Sequence, residues 1–206
     1  MKLFVSESVC GGAWRSGERP LSLLREGLAM LQGFVTDAVS AGCRITTTWD
    51  QRLGVPESLE RTGVQIIPIN DLRQEQELFS EQCRQADAVC IIAPELNHEL
   101  LQRVRLARTL NPQVWNCTEA AIELCGDKWA FFRHCQLHQL PTIPTYLTDD
   151  LACERMTWPR VLKLRLGAGS QSMQLVASSA TWKQSLATFD STRVETAAIV
   201  QPFIRG

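Results

Sequence analysis

Short apolar runs alternate with longer amphipathic stretches through the first half of the chain. Residues 3–6, 43–49, 64–69 and 86–94 each predict a strand, because the runs are short and rich in apolar or β-branched side chains. The last run is apolar almost throughout, which is typical of a central parallel strand that is buried on both faces. A fifth short strand is predicted at 113–116.

Helical patterns separate these strands. Apolar residues at helical spacing, a helix-capping Asp71 and terminal glycines predict four helices, at 20–40, 56–63, 71–85 and 96–109. Strands that alternate with helices form right-handed crossovers and a parallel sheet. We therefore expect residues 1–116 to form a Rossmann-like domain that binds ligands beyond the carboxyl ends of its strands. A GxGxxG motif is absent, so NAD binding is not expected.

The pattern changes after residue 116. Two helices are followed by a proline-punctuated extended segment, two strands around a glycine-rich loop, a helix and a final apolar strand. These elements are predicted at 118–125, 129–139, 140–147, 161–176, 178–189 and 197–204. Helices followed by antiparallel strands indicate an α+β unit, so residues 117–206 are expected to form a second domain. The fold class of the whole chain is α/β.

The composition limits the class of protein, the partners and the cellular compartment that fit this chain. The chain has 206 residues, of which 45% are hydrophobic and 21% are charged, as in globular proteins. A net charge of −1 gives no electrostatic reason to expect a nucleic-acid partner, and no apolar run approaches membrane-spanning length. The eight cysteines are scattered and form no CxxC motif. They predict free thiols in a reducing cytoplasm.

The stretch from 161 to 176 carries the strongest chemical signal. Lys163 lies on an apolar strand that leads into the loop Gly167-Ala168-Gly169-Ser170-Gln171-Ser172. Glycines allow the backbone to close over a bulky anion, and a lysine supplies the positive charge that a polyphosphate needs. Only four of the 21 basic residues are lysines. On glycine content alone, a hairpin turn with a surface lysine is the better explanation, because short glycine motifs recur by chance.

Four pieces in this order resemble the ATP-grasp superfamily. They are Asn116, Glu119 and Ala120 with Asp127-Lys128; Leu140-Pro141 with Pro144; Val161-Leu162-Lys163 with the loop from Gly167 to Met173; and Ile199-Val200-Gln201-Pro202-Phe203-Ile204. The Rossmann-like first half matches the domain that usually precedes the ATP-grasp domain. Val9-Cys10-Gly11-Gly12 and the helix start from Ser22 to Leu31 resemble a narrower branch, which includes the tyramine–glutamate ligase.

The resemblance implies an ATP site in the second half. Lys128 and Lys163 would contact the α and β phosphates, and a lysine in the first turn of a helix is electrostatically poor unless an anion binds there. The residues implied to cover the β and γ phosphates are Gly167, Ala168, Gly169, Ser170 and Gln171. The residues implied to form the hinge against adenine are Gln201, Pro202, Phe203 and Ile204. There the Pro202 carbonyl and the Ile204 N–H would read the base edge.

The implied reaction is ATP-dependent ligation of a carboxylate to an amine through an acylphosphate, in the biosynthesis of a cofactor or another small molecule. The family uses Mg²⁺, held by an acidic residue and a Glu-x-Asn motif after the hinge. The chain stops at Gly206, so we expect no metal site within it and place the catalytic residues after residue 206. A fragment, one chain of a split enzyme, or an inactive descendant would each fit, and no ligase turnover is expected from the 206 residues alone.

The loop after the first strand is a weaker candidate site. Glu7, Cys10, Gly11 and Gly12 lie where a sheet of this kind contacts its substrate, and a plain turn is the alternative. A nucleophilic Cys10 is disfavoured, because no histidine occurs in the first ninety residues to activate it. His134 and His138 are one turn apart on a helix, and ordinary packing explains them better than metal binding does.

Two function classes stay open at this point. One is an ATP-grasp carboxylate–amine ligase, and the other is a non-catalytic nucleotide-binding or subunit-interaction module. The expected partners are small-molecule carboxylate and amine substrates, with no nucleic acid and no membrane. An exposed apolar hinge strand also suggests a homo-oligomer or a complementing C-terminal partner chain.

Overall fold

The structure is a computed structural model, and it describes residues 1–14, 19–150, 153, 155–168, 172–190 and 198–205. The chain divides into two compact units, Met1–Glu119 and Ala120–Gly206. The boundary expected from the sequence lies three residues earlier, at 116, and the two-domain organisation itself stays a prediction. None of the described helices is both long and apolar enough to cross a membrane.

The first unit is built on a four-stranded parallel sheet. Its strands are β1 (Lys2–Glu7), β2 (Arg44–Asp50), β3 (Gln65–Ile69) and β4 (Ala88–Ile92), and their spatial order is β3-β2-β1-β4. The helices between and after them are α1 (Leu21–Ser40), α2 (Glu57–Glu60), α3 (Leu72–Gln85) and α4 (Glu99–Leu110), with a 3₁₀ turn at Gln51–Leu53. Because strand order reverses between β1 and β4, the carboxyl ends of these two strands flank the usual ligand position.

Helices cover both faces of this sheet. Leu3 and Val5 of β1 pack against Leu31 and Val35 of α1 in the main apolar core. Phe4 points to the opposite face, where its ring meets that of Phe79 from α3 at 6.0 Å between centroids. Alternate residues of β1 therefore serve two different cores, as expected for a parallel sheet buried on both sides.

Sequence features within a few residues determine where most helices and strands of this unit begin and end. The Asp71 side chain accepts a hydrogen bond from the Gln74 backbone N–H at 2.9 Å and caps α3. Gly42 follows α1 with a φ of +83°, a backbone conformation that favours glycine. All five residues of β4 are buried, in agreement with its continuous apolar run.

The strand predicted at 113–116 is wrong as a full strand. Only Val114 pairs in parallel with Val89, and the described structure shows this contact as an isolated bridge. Asn116 explains why pairing stops there. Its side chain bonds the backbone N–H and carbonyl of Ile91, at 3.0 and 2.8 Å, and so replaces the backbone groups of a longer strand.

The second unit contains an antiparallel sheet, which together with the parallel sheet confirms the predicted α/β fold class. Its strands are β5 (Tyr146–Leu147), β6 (Arg160–Leu164), β7 (Gln174–Val176) and β8 (Ala198–Pro202), in the spatial order β5-β8-β6-β7. The helices are α5 (Glu119–Gly126), α6 (Lys128–Leu137) and α7 (Ser179–Asp190). The predicted hairpin around the glycine-rich loop is confirmed as the β6–β7 pair.

The two faces of this sheet carry different side chains: one face forms an apolar core, and the other carries Lys163. Leu162 and Leu164 of β6 join Val176 and Ala198 in a core that also contains Phe189 of α7. Side chains alternate along a strand, so Val161 and Lys163, the neighbours of Leu162 on β6, lie on the other face of the sheet. On that face Lys163 is directly opposite Ile199 of β8, and Val161 is opposite Gln201.

Candidate functional site

The site begins where α6 starts. The Asp127 carboxylate accepts hydrogen bonds from the backbone N–H groups of Trp129 and Ala130, at 3.0 and 3.1 Å, and so caps the helix. The same carboxylate receives the Arg165 guanidinium through Nε at 2.8 Å and Nη2 at 2.6 Å. This bidentate pair fixes the end of β6 against the start of α6 and holds the pKa of Asp127 below its usual value despite the opposing effect of burial.

Lys128 is tied to the segment that follows β6. Its backbone N–H donates to the Arg165 carbonyl at 3.2 Å, and its side-chain Nζ donates to the Gly167 carbonyl at 2.7 Å. The ammonium group therefore lies beside the first glycine of the predicted phosphate loop. It also lies in the first turn of α6, where the positive end of the helix dipole favours an anion.

Lys163 approaches the same place from the sheet. Burial lowers the pKa of its ammonium group below the usual value. The pKa of Lys128 is lowered as well, first by burial and then by the positive charge of Lys163, with Asp127 partly offsetting both. Two half-buried cations with lowered pKa values form a site that a negatively charged ligand would stabilise.

The phosphate loop is described only in part. Gly167 has a φ of +146°, which an L-amino acid with a side chain rarely adopts, and Ala168 is half-buried. Gly169, Ser170 and Gln171 lie outside the described residues, so their predicted contacts with the phosphates stay a prediction. What the structure shows is that the loop leaves β6 directly beside the Lys128 ammonium group.

The hinge residues follow β8. Phe203 donates its backbone N–H to the Pro159 carbonyl at 3.0 Å. Because consecutive residues of an extended strand point to opposite edges, the Pro202 carbonyl is directed away from β6. Gln201 donates its side-chain amide to the Thr145 hydroxyl at 2.7 Å, so this amide is engaged within the protein. Phe203 and Ile204 are exposed, at 39% and 60%.

The predicted phosphate and hinge residues thus fall within one unit. The structure brings Lys128, Lys163 and Gly167 to one side of the β6–β8 sheet, and the last two hinge residues continue the same β8 strand outward. Their contacts with ATP stay predictions. The sequence did not predict that Arg165 lies at this candidate site, since its partner Asp127 is 38 positions away.

The turn after β1 is built differently. Glu7 is 1% exposed, and its carboxylate accepts the backbone N–H groups of Val9 at 3.0 Å and Cys10 at 2.5 Å. Burial raises the pKa of Glu7. Cys10 is fully buried with its thiol directed at the Leu24 carbonyl, and burial followed by the charge of Glu7 raises the pKa of this thiol far above its ordinary value. A thiol held in the neutral form is a poor nucleophile.

Packing explains both glycines of this turn. A Cβ at Gly11 would overlap the Glu7 carbonyl oxygen and lie 2.9 Å from the Thr48 hydroxyl. A Cβ at Gly12 would lie 2.5 Å from the Ile69 side chain, on a backbone with a φ of +97°. The turn therefore shapes the end of the sheet. A direct substrate contact from Glu7, Cys10, Gly11 or Gly12 stays a prediction.

Metal binding finds no support in the described residues, which contain no group of three or more histidine, cysteine or acidic side chains that could hold an ion. The rings of His134 and His138 pack against each other with centroids 4.4 Å apart. The donor set near Lys128 and Lys163 is cationic, which suits phosphate and does not suit Mg²⁺. We therefore assign no metal ligand.

Known proteins are similar to this chain in part of its sequence and in its fold. Residues 43–122 match the family model of the pre ATP-grasp 3 domain. An ATP-grasp superfamily protein from Archaeoglobus fulgidus aligns over 100% of this chain and 54% of its own, with 20% identity and a TM-score of 0.63. No protein of curated function matches the sequence.

Two further solved structures share the fold. The biotin carboxylase domain of the Hydrogenobacter thermophilus 2-oxoglutarate carboxylase, a dimer in complex with MgADP, ADP and bicarbonate, aligns with 99% of this chain and 44% of its own, at 14% identity and a TM-score of 0.65. The L-amino acid ligase from Bacillus licheniformis aligns with 100% and 44%, at 17% identity and a TM-score of 0.57. This chain thus spans about half the length of the structures that it matches.

The chain shares its fold with these solved ATP-grasp structures, and residues 43–122 resemble the pre ATP-grasp 3 domain. The resemblance inferred from the sequence is confirmed at this level. The narrower resemblance to the tyramine–glutamate ligase branch stays a prediction.

Proposed function

We propose that this chain binds ATP through its second unit and belongs to an ATP-dependent ligase that joins a carboxylate to an amine. The observation that carries the proposal is the pair of half-buried lysines, Lys128 and Lys163, beside the Gly167 backbone. The ligases that share this fold support the reaction type. Because the chain spans about half of their length, the activity is proposed for the protein of which these residues form the nucleotide-binding part.

The chain's own residues would act mainly on the phosphates. Lys128 and Lys163 would neutralise phosphate oxygens in a site that is partly shielded from water, where their charge acts more strongly than at the surface. The Lys128 ammonium donates one of its three N–H groups to the Gly167 carbonyl, and another would contact a phosphate oxygen. The Pro202 carbonyl would accept the adenine amine, and the exposed Phe203 and Ile204 would continue this edge.

The proposed chemistry has two steps. A carboxylate oxygen of the acid attacks the γ-phosphorus, the bond to the β–γ bridging oxygen breaks, and ADP leaves. The amine nitrogen then attacks the acyl carbon, the phosphate leaves, and loss of a proton gives the amide. Mg²⁺, where bound, would neutralise the phosphate charge during the first step. Such a reaction is consistent with a role in cofactor or small-molecule biosynthesis.

Calorimetric titration of MgATP into the chain tests the phosphate site. Lys128→Ala and Lys163→Ala should each weaken binding by about tenfold or more, since a charge-assisted hydrogen bond contributes roughly 1.5–3 kcal/mol. Lys183→Ala is the matched control, because this lysine is exposed on α7. If neither variant binds MgATP more weakly than the Lys183 control, the proposed site is wrong.

A further inference from the structure

A buried threonine connects β5 to β8 in the second unit. Thr145, the residue before β5, is 1% exposed, and its hydroxyl accepts the side-chain amide N–H of Gln201 at 2.7 Å. The same hydroxyl donates to the Ile143 carbonyl at 3.0 Å. One chain of hydrogen bonds therefore runs from a side-chain amide on β8, through a buried hydroxyl, to a backbone carbonyl.

This chain of hydrogen bonds determines the orientation of the Gln201 amide. A hydroxyl has one proton, and the Thr145 proton goes to the Ile143 carbonyl, which can only accept. The group of Gln201 that faces Thr145 must consequently donate, so it is the NH₂, and the carbonyl oxygen Oε1 points away. Within the described part of the chain, Oε1 receives no hydrogen bond. Gln201 thus offers an acceptor, and not a donor, to a ligand beside it.

The Gln201 side chain lies on the same face of the sheet as Lys163. Directly opposite residues of an antiparallel pair share a face, and Lys163 is opposite Ile199, while Gln201 is opposite Val161. Two residues along a strand separate Ile199 from Gln201, which is about 7 Å. Pro202, whose carbonyl is proposed to accept the adenine amine, is the next residue. A nucleotide with its phosphates at Lys163 would therefore have its base near Gln201.

We propose that Thr145 is a positioning residue that makes the nucleotide site select a 6-aminopurine over a 6-oxopurine, through the orientation of the Gln201 amide. An exocyclic amine has two N–H donors, and the Pro202 carbonyl and the Gln201 Oε1 accept one each. A 6-oxo group would instead meet two acceptors and form neither hydrogen bond. The inference rests on the proposed function, because it requires a nucleotide on the Lys163 face, and it adds how the base is selected.

Calorimetric titration with MgATP and with the magnesium complex of inosine triphosphate tests this selection. Inosine triphosphate has the ribose and the triphosphate of ATP, but it carries a 6-oxo group and a proton on N1. The parent chain should bind ATP about a hundredfold more tightly than inosine triphosphate, since each unmatched polar contact costs about tenfold or more in affinity. Equal affinity for the two nucleotides overturns the proposal.

Substitution of Thr145 tests its part in the selection. Thr145→Val keeps the branched shape and removes the hydroxyl, so the Gln201 amide can turn and offer its NH₂ to a 6-oxo group. The ratio of the two affinities should fall by about tenfold, with ATP bound more weakly and inosine triphosphate more tightly. Thr145→Ser retains the hydroxyl and should keep the parent ratio. An equal loss of affinity for both nucleotides in Thr145→Val would show that Thr145 only stabilises the fold, which contradicts the proposal.

A double substitution shows whether Thr145 acts through Gln201. Gln201→Met removes the amide and should itself lower the ratio of the two affinities. In the Gln201→Met background, Thr145→Val should leave that ratio unchanged, because no amide remains to be oriented. A further fall of the ratio in the double variant would mean that Thr145 acts by another route, and it would overturn the assignment.

Magnesium tripolyphosphate, which has no base, separates this inference from the proposed function. Its affinity should depend on Lys128 and Lys163 and should be the same in the parent chain and in Thr145→Val. Tripolyphosphate binding that is independent of both lysines would remove the proposed phosphate site and this inference with it. Tripolyphosphate binding through both lysines, together with a nucleotide ratio that is independent of Thr145, would remove this inference alone.

Discussion

Two glycine-containing loops follow strands in this molecule, and they are held in opposite ways. In the turn after β1, the Glu7 carboxylate is buried and satisfied by backbone N–H groups of its own loop, and each glycine is needed because a neighbouring atom fills the space of a Cβ. In the loop after β6, a Cβ at Gly167 would meet only the Leu164 side chain, at an ordinary 3.5 Å. The charged groups near that loop include two lysines, and burial lowers the pKa of both, with the charge of Lys163 lowering that of Lys128 further.

The contrast teaches that glycine content does not identify a binding loop. The hydrogen bonds of the buried Glu7 carboxyl lie within its own loop and leave no group there for a ligand, whereas half-buried like charges raise the free energy of the protein until a ligand of opposite charge binds. The turn after β1 is therefore interpreted as scaffold, and the loop after β6 as a phosphate site. Substitutions in the turn after β1 should therefore mainly change stability, and substitutions at the loop after β6 should mainly change nucleotide binding.

The largest expected effect is on the turn after β1. Gly11→Ala places a methyl group against the Glu7 carbonyl oxygen and should destabilise the chain by about 3 kcal/mol, because backbone atoms cannot move aside cheaply. Gly33→Ala is the control, since Gly33 is exposed in α1 with open space at its Cβ position, and it should stabilise by up to about 1 kcal/mol. Urea unfolding measures both. Equal changes in the free energy of unfolding for the two substitutions would contradict the interpretation of this turn as scaffold.

The next effect concerns the pair that positions the phosphate site. Asp127→Asn should lower stability by about 1–2 kcal/mol, because a neutral amide keeps the helix cap but cannot form the charge-assisted bidentate contact with Arg165. It should also weaken MgATP binding although Asp127 itself touches no phosphate in the proposal. Glu77→Gln, which breaks the exposed pair with Arg73, should change stability by less than about 0.5 kcal/mol. Unchanged MgATP affinity in Asp127→Asn would show that this pair does not position the site.

A smaller effect follows from the raised pKa of Glu7. The folded chain holds the Glu7 proton more tightly than the unfolded chain does, so its contribution to stability is present at low pH and is lost as pH rises through the pKa in the folded state. Stability of the parent chain, measured by urea unfolding from acid to neutral pH, should therefore fall relative to Glu7→Gln as pH increases. A difference between the two chains that does not change with pH would mean that Glu7 is not desolvated.

The smallest effect is expected at the lysines. Their pKa values are lowered in the folded chain, so between that lowered pKa and the usual 10.5 the unfolded chain binds more protons. Stability should consequently rise with pH in this window, and the rise should shrink in Lys163→Met. Bound ATP should abolish it by restoring the charged form. Thermal unfolding between neutral and alkaline pH, with Lys183→Met as control, measures the difference.

Much of the fold was predictable because its signals are local. The amphipathic pattern of α1, the Asp71 cap of α3 and the apolar run of β4 each act within a few residues. Contacts between distant residues were not predictable from one sequence. Arg165 finds Asp127 across 38 positions, and Arg103 reaches Ser6 across 97. The predicted strand at 113–116 failed for the same reason, since the Asn116 side chain replaces backbone pairing with Ile91.

The most direct test of the central claim is chemical acetylation of the lysines with and without MgATP, followed site by site with mass spectrometry. The chain has only four lysines, so Lys2 and Lys183 serve as internal controls in the same sample. MgATP should protect Lys128 and Lys163 and leave the rates at the other two unchanged. Equal rates at Lys128 and Lys163 with and without MgATP, under conditions where calorimetry shows the nucleotide bound, would contradict the phosphate site.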